Sequence, residues 1–249
     1  APDNLLDEVD VFACTVLKDL WLHENSLVEI DVSTNIQLKK LFLDNNLLEA
    51  IDLSKNVLLE NLRVPGNQLS SIDVSQLQVL IQLDCHANTI NDLDVSNNLD
   101  LESLRCGSNE FSELDISNNL MLESFSMQMS EMYALDVSNN PELIYVNLIG
   151  NDNLSCLDLR NGANELIINL NTTECPNLTC IDVDNLVYAS DNWTSIDPQH
   201  SFDEECNCIP VGISEKSLDG QLSVYPNPSY GFMVIEFDQP SKGILKVYD

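Results

Sequence analysis

The sequence predicts a β-rich repeat solenoid, and three observations carry that prediction. An aspartate returns every 21 residues, at Asp31, Asp52, Asp73, Asp94, Asp115 and Asp136. A leucine column keeps the same spacing, through Leu17, Leu38, Leu59, Leu80, Leu101, Leu122 and Leu143. An apolar-x-apolar alternation, as at residues 20–22 and 41–43, recurs once per period, which is the period-two signature of a short strand. A fixed period near 20 marks a chain in which each turn cannot bury its apolar side alone and leans on its neighbours. Stacked strands then form a parallel sheet, and eight turns at about 4.8 Å each span roughly 35–40 Å.

After an N-terminal flank or cap (residues 1–16), the turns read LxxLxLxxNxLxxIDVSxNxx. The second core column runs Leu20, Leu41, Leu62, Leu83, Leu104, Phe125 and Val146, and the third Leu22, Leu43, Val64, Cys85, Cys106, Met127 and Leu148. Cys85 and Cys106 therefore sit in the core as small hydrophobes. Asn25, Asn46, Asn67, Asn88 and Asn109 follow each strand, Ser130 breaks the column and Asn151 resumes it. An amide has donors and acceptors for the backbone of its own turn and the next, so a buried structural ladder is expected. Each Asp lies between two aliphatics and should point outward. Carboxylates about 5 Å apart repel by about 1 kcal/mol even in water. Hydrogen bonds from the Ser two residues on would offset this; a calcium ladder is the functional alternative, although single, evenly spaced Asp residues lack the clustering of a dedicated calcium loop.

The turn pattern resembles the leucine-rich repeat family, and its nested second half resembles the 21-residue bacterial subclass called IRREKO. The likeness covers about residues 17–186, with local departures: Leu77 stands where Asn56 and Asn98 stand in other turns, and one residue is inserted before Asp158. The strand residue left outward between two core positions is Trp21, Phe42, Arg63, Asp84, Arg105, Ser126 and Asn147, with His86 in the adjacent column. The repeat rules leave this row free, and exposed aromatics and Arg are enriched in binding hot spots. The resemblance implies binding through this face. The structural alternative packs Trp21 on an N-terminal cap and uses the arginines to neutralise nearby acids.

Ten Lys and Arg against 41 Asp and Glu give a formal charge of −31. That excludes nucleic acid as a partner and disfavours anionic membrane; no run approaches a membrane span. Three histidines, His23, His86 and His200, are too far apart or too isolated to share zinc, and no Ser has a His to act as its base. No catalytic residue, resident cofactor or metal site is expected.

Late cysteines suggest an oxidising, extracellular setting. Residues 187–208 resemble the cap that follows such repeats in secreted proteins of the Bacteroidota. Cys180 with Cys206 would close a loop of about 26 residues and stabilise by roughly 3 kcal/mol; Cys156 with Cys175 is a second candidate pair, and Cys206 and Cys208 should each pair outward. A linker (209–220) precedes residues 221–249, where Tyr225, Pro226, Asn227 and Pro228, with Gly231 after them, mark a turn between alternating apolar runs. This stretch resembles the start of the C-terminal sorting domain read by the type IX secretion machinery, a small β-sandwich that the resemblance implies is truncated here. The combined expectation is a non-enzymatic, secreted or outer-membrane surface-attached protein, Bacteroidota-like, that binds an extracellular protein or polysaccharide. Its rivals are a spacer or recognition module of a larger secreted enzyme, and a cation-dependent matrix component.

Overall fold

The computed structural model describes residues 4–206 and, as backbone, the strands at 222–227 and 232–237. They belong to two units, Ala1–Gly212 and Ile213–Asp249. The first unit carries, in chain order, β1 (Asp19–Trp21), β2 (Lys40–Phe42), β3 (Asn61–Arg63), β4 (Gln82–Asp84), β5 (Ser103–Arg105), β6 (Ser124–Ser126), β7 (Ala134–Asp136), β8 (Tyr145–Asn147), β9 (Cys156–Asp158), β10 (Asn169–Thr172), β11 (Cys180–Asp182), β12 (Ser195–Ile196) and β13 (Ser201–Asp203). Nine of them make one sheet in the order β1-β2-β3-β4-β5-β6-β8-β10-β12. Neighbours pair in parallel with equivalent residues in register, as in Leu41↔Leu62↔Leu83↔Leu104. From β1 to β8 the middle residue of each strand of this sheet is buried, as is Leu170 in β10, and the core continues through Leu43, Val64, Cys85 and Cys106. This is the expected β-rich solenoid.

Two or three residues after the first eight strands of this sheet the chain enters the left-handed region: Glu24, Asn45, Gly66, Ala87, Ser108, Met129, Gly150 and Glu174 all have φ between 50° and 75°. A non-glycine residue there costs roughly 1–2 kcal/mol, and the next residue holds the bend. Asn46 Nδ2 donates to the carbonyls of Leu22 in the preceding turn and Leu43 in its own, both at 3.0 Å, while its Oδ1 accepts from Leu27 N. Asn67, Asn88 and Asn109 repeat all three bonds. At the expected break, Ser130 uses its backbone N to reach Asn151 Oδ1.

A second buried ladder, not anticipated from the sequence, lies in the other half of each turn. Asn35, Asn56, Asn98, Asn119 and Asn140 are fully buried, with Leu77 filling the gap. Each amide donates to two carbonyls of the preceding turn, as Asn98 does to Val74 O and Leu77 O. Their five Oδ1 atoms accept nothing.

Beyond residue 134 this half of the turn forms a second parallel sheet, β13-β11-β9-β7. It begins where the strict period ends, since the Asp column steps from Asp136 to Asp158 and then to Asp182. At the other end, residues 4–16 are the second half of a turn. Asp10 extends the Asp column and accepts from Phe12 N, and Leu6 O accepts from Ser26 N.

The segment expected as a cap takes the form of one more turn, adding β12 to the first sheet and β13 to the second. Between β11 and β12 runs α1 (Leu186–Asn192), whose N-cap Asn185 accepts from Tyr188 N. Trp193 closes the end, donating Nε1 to Ile167 O and stacking edge-on with Tyr188 and Phe202. Cys180 and Cys206 are bridged as expected. The Cys156–Cys175 pairing is corrected: Cys156 is disulfide-bonded, but Cys175 is free. Its thiol turns inward and donates to Leu148 O, and burial pushes its pKa up.

In the second unit β14 (Leu222–Asn227) pairs antiparallel with β15 (Phe232–Phe237). Tyr225, Pro226 and Asn227 belong to β14, so the expected turn does not begin at Pro226. Among the described residues β14 is an edge strand of a two-stranded sheet, a place where Pro226 is tolerated. The linker, Cys208, Pro228 and Gly231 lie outside the described residues.

Candidate functional site

The outward face of the nine-stranded sheet collects the residues that the repeat leaves free. Strand register places Trp21, Phe42, Arg63, Asp84, Arg105, Ser126 and Asn147 in one unbroken row. Its first three members form a continuous stack. Trp21 and Phe42 lie with ring centroids 5.8 Å apart and planes 9° from parallel, and the Arg63 guanidinium sits 5.3 Å from the Phe42 centroid. Trp21 is 50% exposed on this face. Offset stacking and a cation over a ring each contribute about 0.5–1.5 kcal/mol, so the row enters any contact already ordered.

Charge along the row is paired locally. Arg63 is ion-paired with Asp44 from the preceding turn. Asp84 receives His86 Nδ1 at 2.6 Å and faces Arg105 Nη1 at 3.5 Å. These neighbours cover Asp84, which is only 6% exposed. Ser126 and Asn147 are buried as well: Gln128 donates to Ser126 Oγ, and Asn147 donates to the Tyr145 hydroxyl. The accessible part of the row is therefore Trp21, Arg63 and Arg105, with Phe42 half-covered.

Sequence reasoning passed over Asp44 as a partner of Arg63. It also passed over the other outward position of each strand, which presents Lys40, Asn61, Gln82 and Tyr145 beside the row. The period-two alternation that gave the row gives this column too.

The Asp column lies in the other half of each turn and is exposed throughout. Asp31, Asp52, Asp73, Asp94, Asp115 and Asp136 each accept from the backbone N of the Ser two residues on, at 2.8–2.9 Å. Hydrogen bonds from the Ser hydroxyl and backbone hold Asp31, Asp73 and Asp94 below the ordinary carboxylate pKa; for Asp52 the backbone bond is the larger cause. Among the described residues no cluster of three His, Cys, Asp or Glu side chains is placed to hold a metal ion. His200 is enclosed, bonded to Thr172 Oγ1 and Cys175 O. Two shallow depressions lie off the row, of about 300 and 500 Å³.

No protein-family model matches the chain, and no curated protein matches it. Among solved structures, a leucine-rich repeat protein of Leptospira interrogans aligns with a TM-score of 0.61 at 21% identity, over 81% of this chain and 53% of that one. Internalin C2 of Listeria monocytogenes aligns with a TM-score of 0.54 at 19% identity, over 64% of this chain and 73% of that one. The fold is that of the leucine-rich repeat. The chain spans about half the length of the Leptospira protein, and at these identities the likeness concerns architecture alone. A leucine-rich repeat solenoid presents its sheet face as an extended surface built from many turns.

Proposed function

We propose that the chain is a non-catalytic extracellular recognition module that binds a protein or glycan along the row from Trp21 to Arg105. One observation carries this reading. The fold needs nothing at these outward positions, yet they hold a pre-stacked Trp, Phe and Arg on a sheet whose other columns are largely polar. Such side chains anchor hot spots because they lose little entropy on contact. The Cys180–Cys206 bridge supports an oxidising compartment. Tyr225 to Pro228 support export by a type IX machine; in the protein carrying its complete sorting domain, deleting that domain from residue 221 on should leave it inside a bacterium that has such a machine.

The binding test is a screen of the full chain against extracellular proteins and polysaccharides, with Arg63→Glu/Arg105→Glu and Trp21→Ser controls. A saturable ligand should emerge whose affinity falls at least tenfold in both controls while their melting curves match the parent. A blank from well-folded protein would instead leave a spacer.

A further inference from the structure

We propose that the flank of the solenoid leading into β2 to β6 is a second docking surface, shaped for a cationic amphipathic helix of a partner protein. Each turn there is made of two consecutive β-turns that share an Asn or Leu. Asn35 N bonds Val32 O and Leu38 N bonds Asn35 O, and the same pair of bonds recurs at residues 53–59, 74–80, 95–101 and 116–122. The first β-turn has polar central residues in each of these turns: Ser33-Thr34, Ser54-Lys55, Ser75-Gln76, Ser96-Asn97, Ser117-Asn118. That is what exposed turn chemistry favours.

The second β-turn breaks the rule in each of the same five turns. Its central residues include Ile36, Val57, Leu99 and Leu120 in one column; in the middle turn Gln78 holds that column and the apolar residue is Val79, one position on, in line with Leu58 and Met121. Ile36, Val57, Val79, Leu99 and Leu120 are between 40% and 56% exposed. The neighbouring polar turns show that the backbone does not require apolar residues here. A contiguous apolar stripe on an otherwise acidic surface marks an interaction site.

Spacing and charge choose the occupant. The stripe repeats at about 4.8 Å, close to the roughly 5.4 Å pitch of an α-helix. A helix lying along the flank therefore offers one apolar side chain to each turn, with a drift of only about 2–3 Å over five turns. An extended strand, whose same-face residues recur at about 6.8 Å, falls out of step at once. The surroundings are acidic. A depression of about 300 Å³ has Val79, Ile81 and Met121 with Glu60, Asp100 and Glu102 around it, and Glu123 follows in the next turn. Beyond the polar turns stands the exposed Asp column. Lys39 is paired with Glu60, so the charge facing a ligand from Val79 onward is negative. A second copy of this chain would bring acid against acid, and an anionic membrane would be repelled for the same reason.

The test uses the full chain and a labelled helical peptide of leucine and lysine carrying a single leucine row, read by fluorescence anisotropy. Saturable binding is expected, at least tenfold tighter than to a scrambled peptide of the same composition. The triple variant Val79→Asn/Leu99→Asn/Leu120→Asn should weaken it at least tenfold with an unchanged melt, because Asn suits a turn centre. Leu99→Lys gives a second, single-site reading at the most exposed of these positions. The Arg63→Glu/Arg105→Glu chain should bind the peptide as the parent does, which separates this surface from the sheet row. Equal binding of the scrambled peptide, undiminished binding by the stripe variants, no peptide binding, or capture of the chain by anionic phosphatidylserine vesicles instead would each overturn the proposal.

Discussion

A Cβ built on Gly107 would lie 2.3 Å from the backbone nitrogen of Gln128 and 2.5 Å from its carbonyl oxygen. Neither atom can move without shifting the next turn, so Gly107→Ala should destabilise by about 1–3 kcal/mol or more in urea unfolding. The exposed aspartates make a different demand, because what they hold depends on charge. Asp73 accepts from both the backbone N and the hydroxyl of Ser75, chiefly through the hydroxyl, and its pKa is lowered from 3.8. A folded pKa below the unfolded one contributes stability above the unfolded value, and that contribution is lost as pH falls through the folded value. Asp73→Ala should therefore melt below the parent at neutral pH, and the two melts should converge well below pH 3.8. A gap that persists in acid would mean that the carboxylate charge is not what matters.

The two asparagine ladders look alike in sequence but do different work as elements. Asn88 ties Val64 O, Cys85 O and Leu69 N, with a longer bond to His86 O. Asn98 ties two carbonyls and leaves its own Oδ1 unpaired. Replacing either by Leu orphans what it held, at about 1–3 kcal/mol per buried group, so Asn88→Leu should cost clearly more than Asn98→Leu in denaturant melts. Leu77 shows that the second ladder already tolerates the change. This contrast also shows how far the sequence could be read. The first ladder was legible because each Asn follows an alternating strand at fixed distance. The second was legible as a position, the last Asn of the turn pattern with Leu77 in its place once, but its burial was not, since the Asp-Val-Ser segment beside it looks like turn alone. The sheet row was legible from alternation, but the burial of Asp84, Ser126 and Asn147 was not. It is set by the reach of His86, Arg105, Gln128 and Tyr145, some of them on other strands, and side-chain reach has no periodicity.

At the scale of the whole first unit, each turn touches only its neighbours, so stability is a sum along the stack and not the property of one core. The Cys180–Cys206 bridge spans 26 residues and should contribute about 3 kcal/mol, all of it to the last turns. Cys180→Ser/Cys206→Ser should accelerate amide exchange in residues 180–206 and leave β1 to β5 protected as before; a loss spread evenly over the solenoid would contradict this. Among the described residues the same unit is laced on one side by nine strands, but on its other side by strands only from Ala134 onward. Under tension between its ends, the stack is thus a spring with a soft end and a stiff one. Load passes through one strand ladder and the asparagine bonds at the amino-terminal turns, and through two strand ladders and a covalent bridge at the carboxy-terminal ones. The soft end gives way first, and each 21-residue turn that lets go lengthens the chain by about 70 Å, while the stiff end keeps its hold.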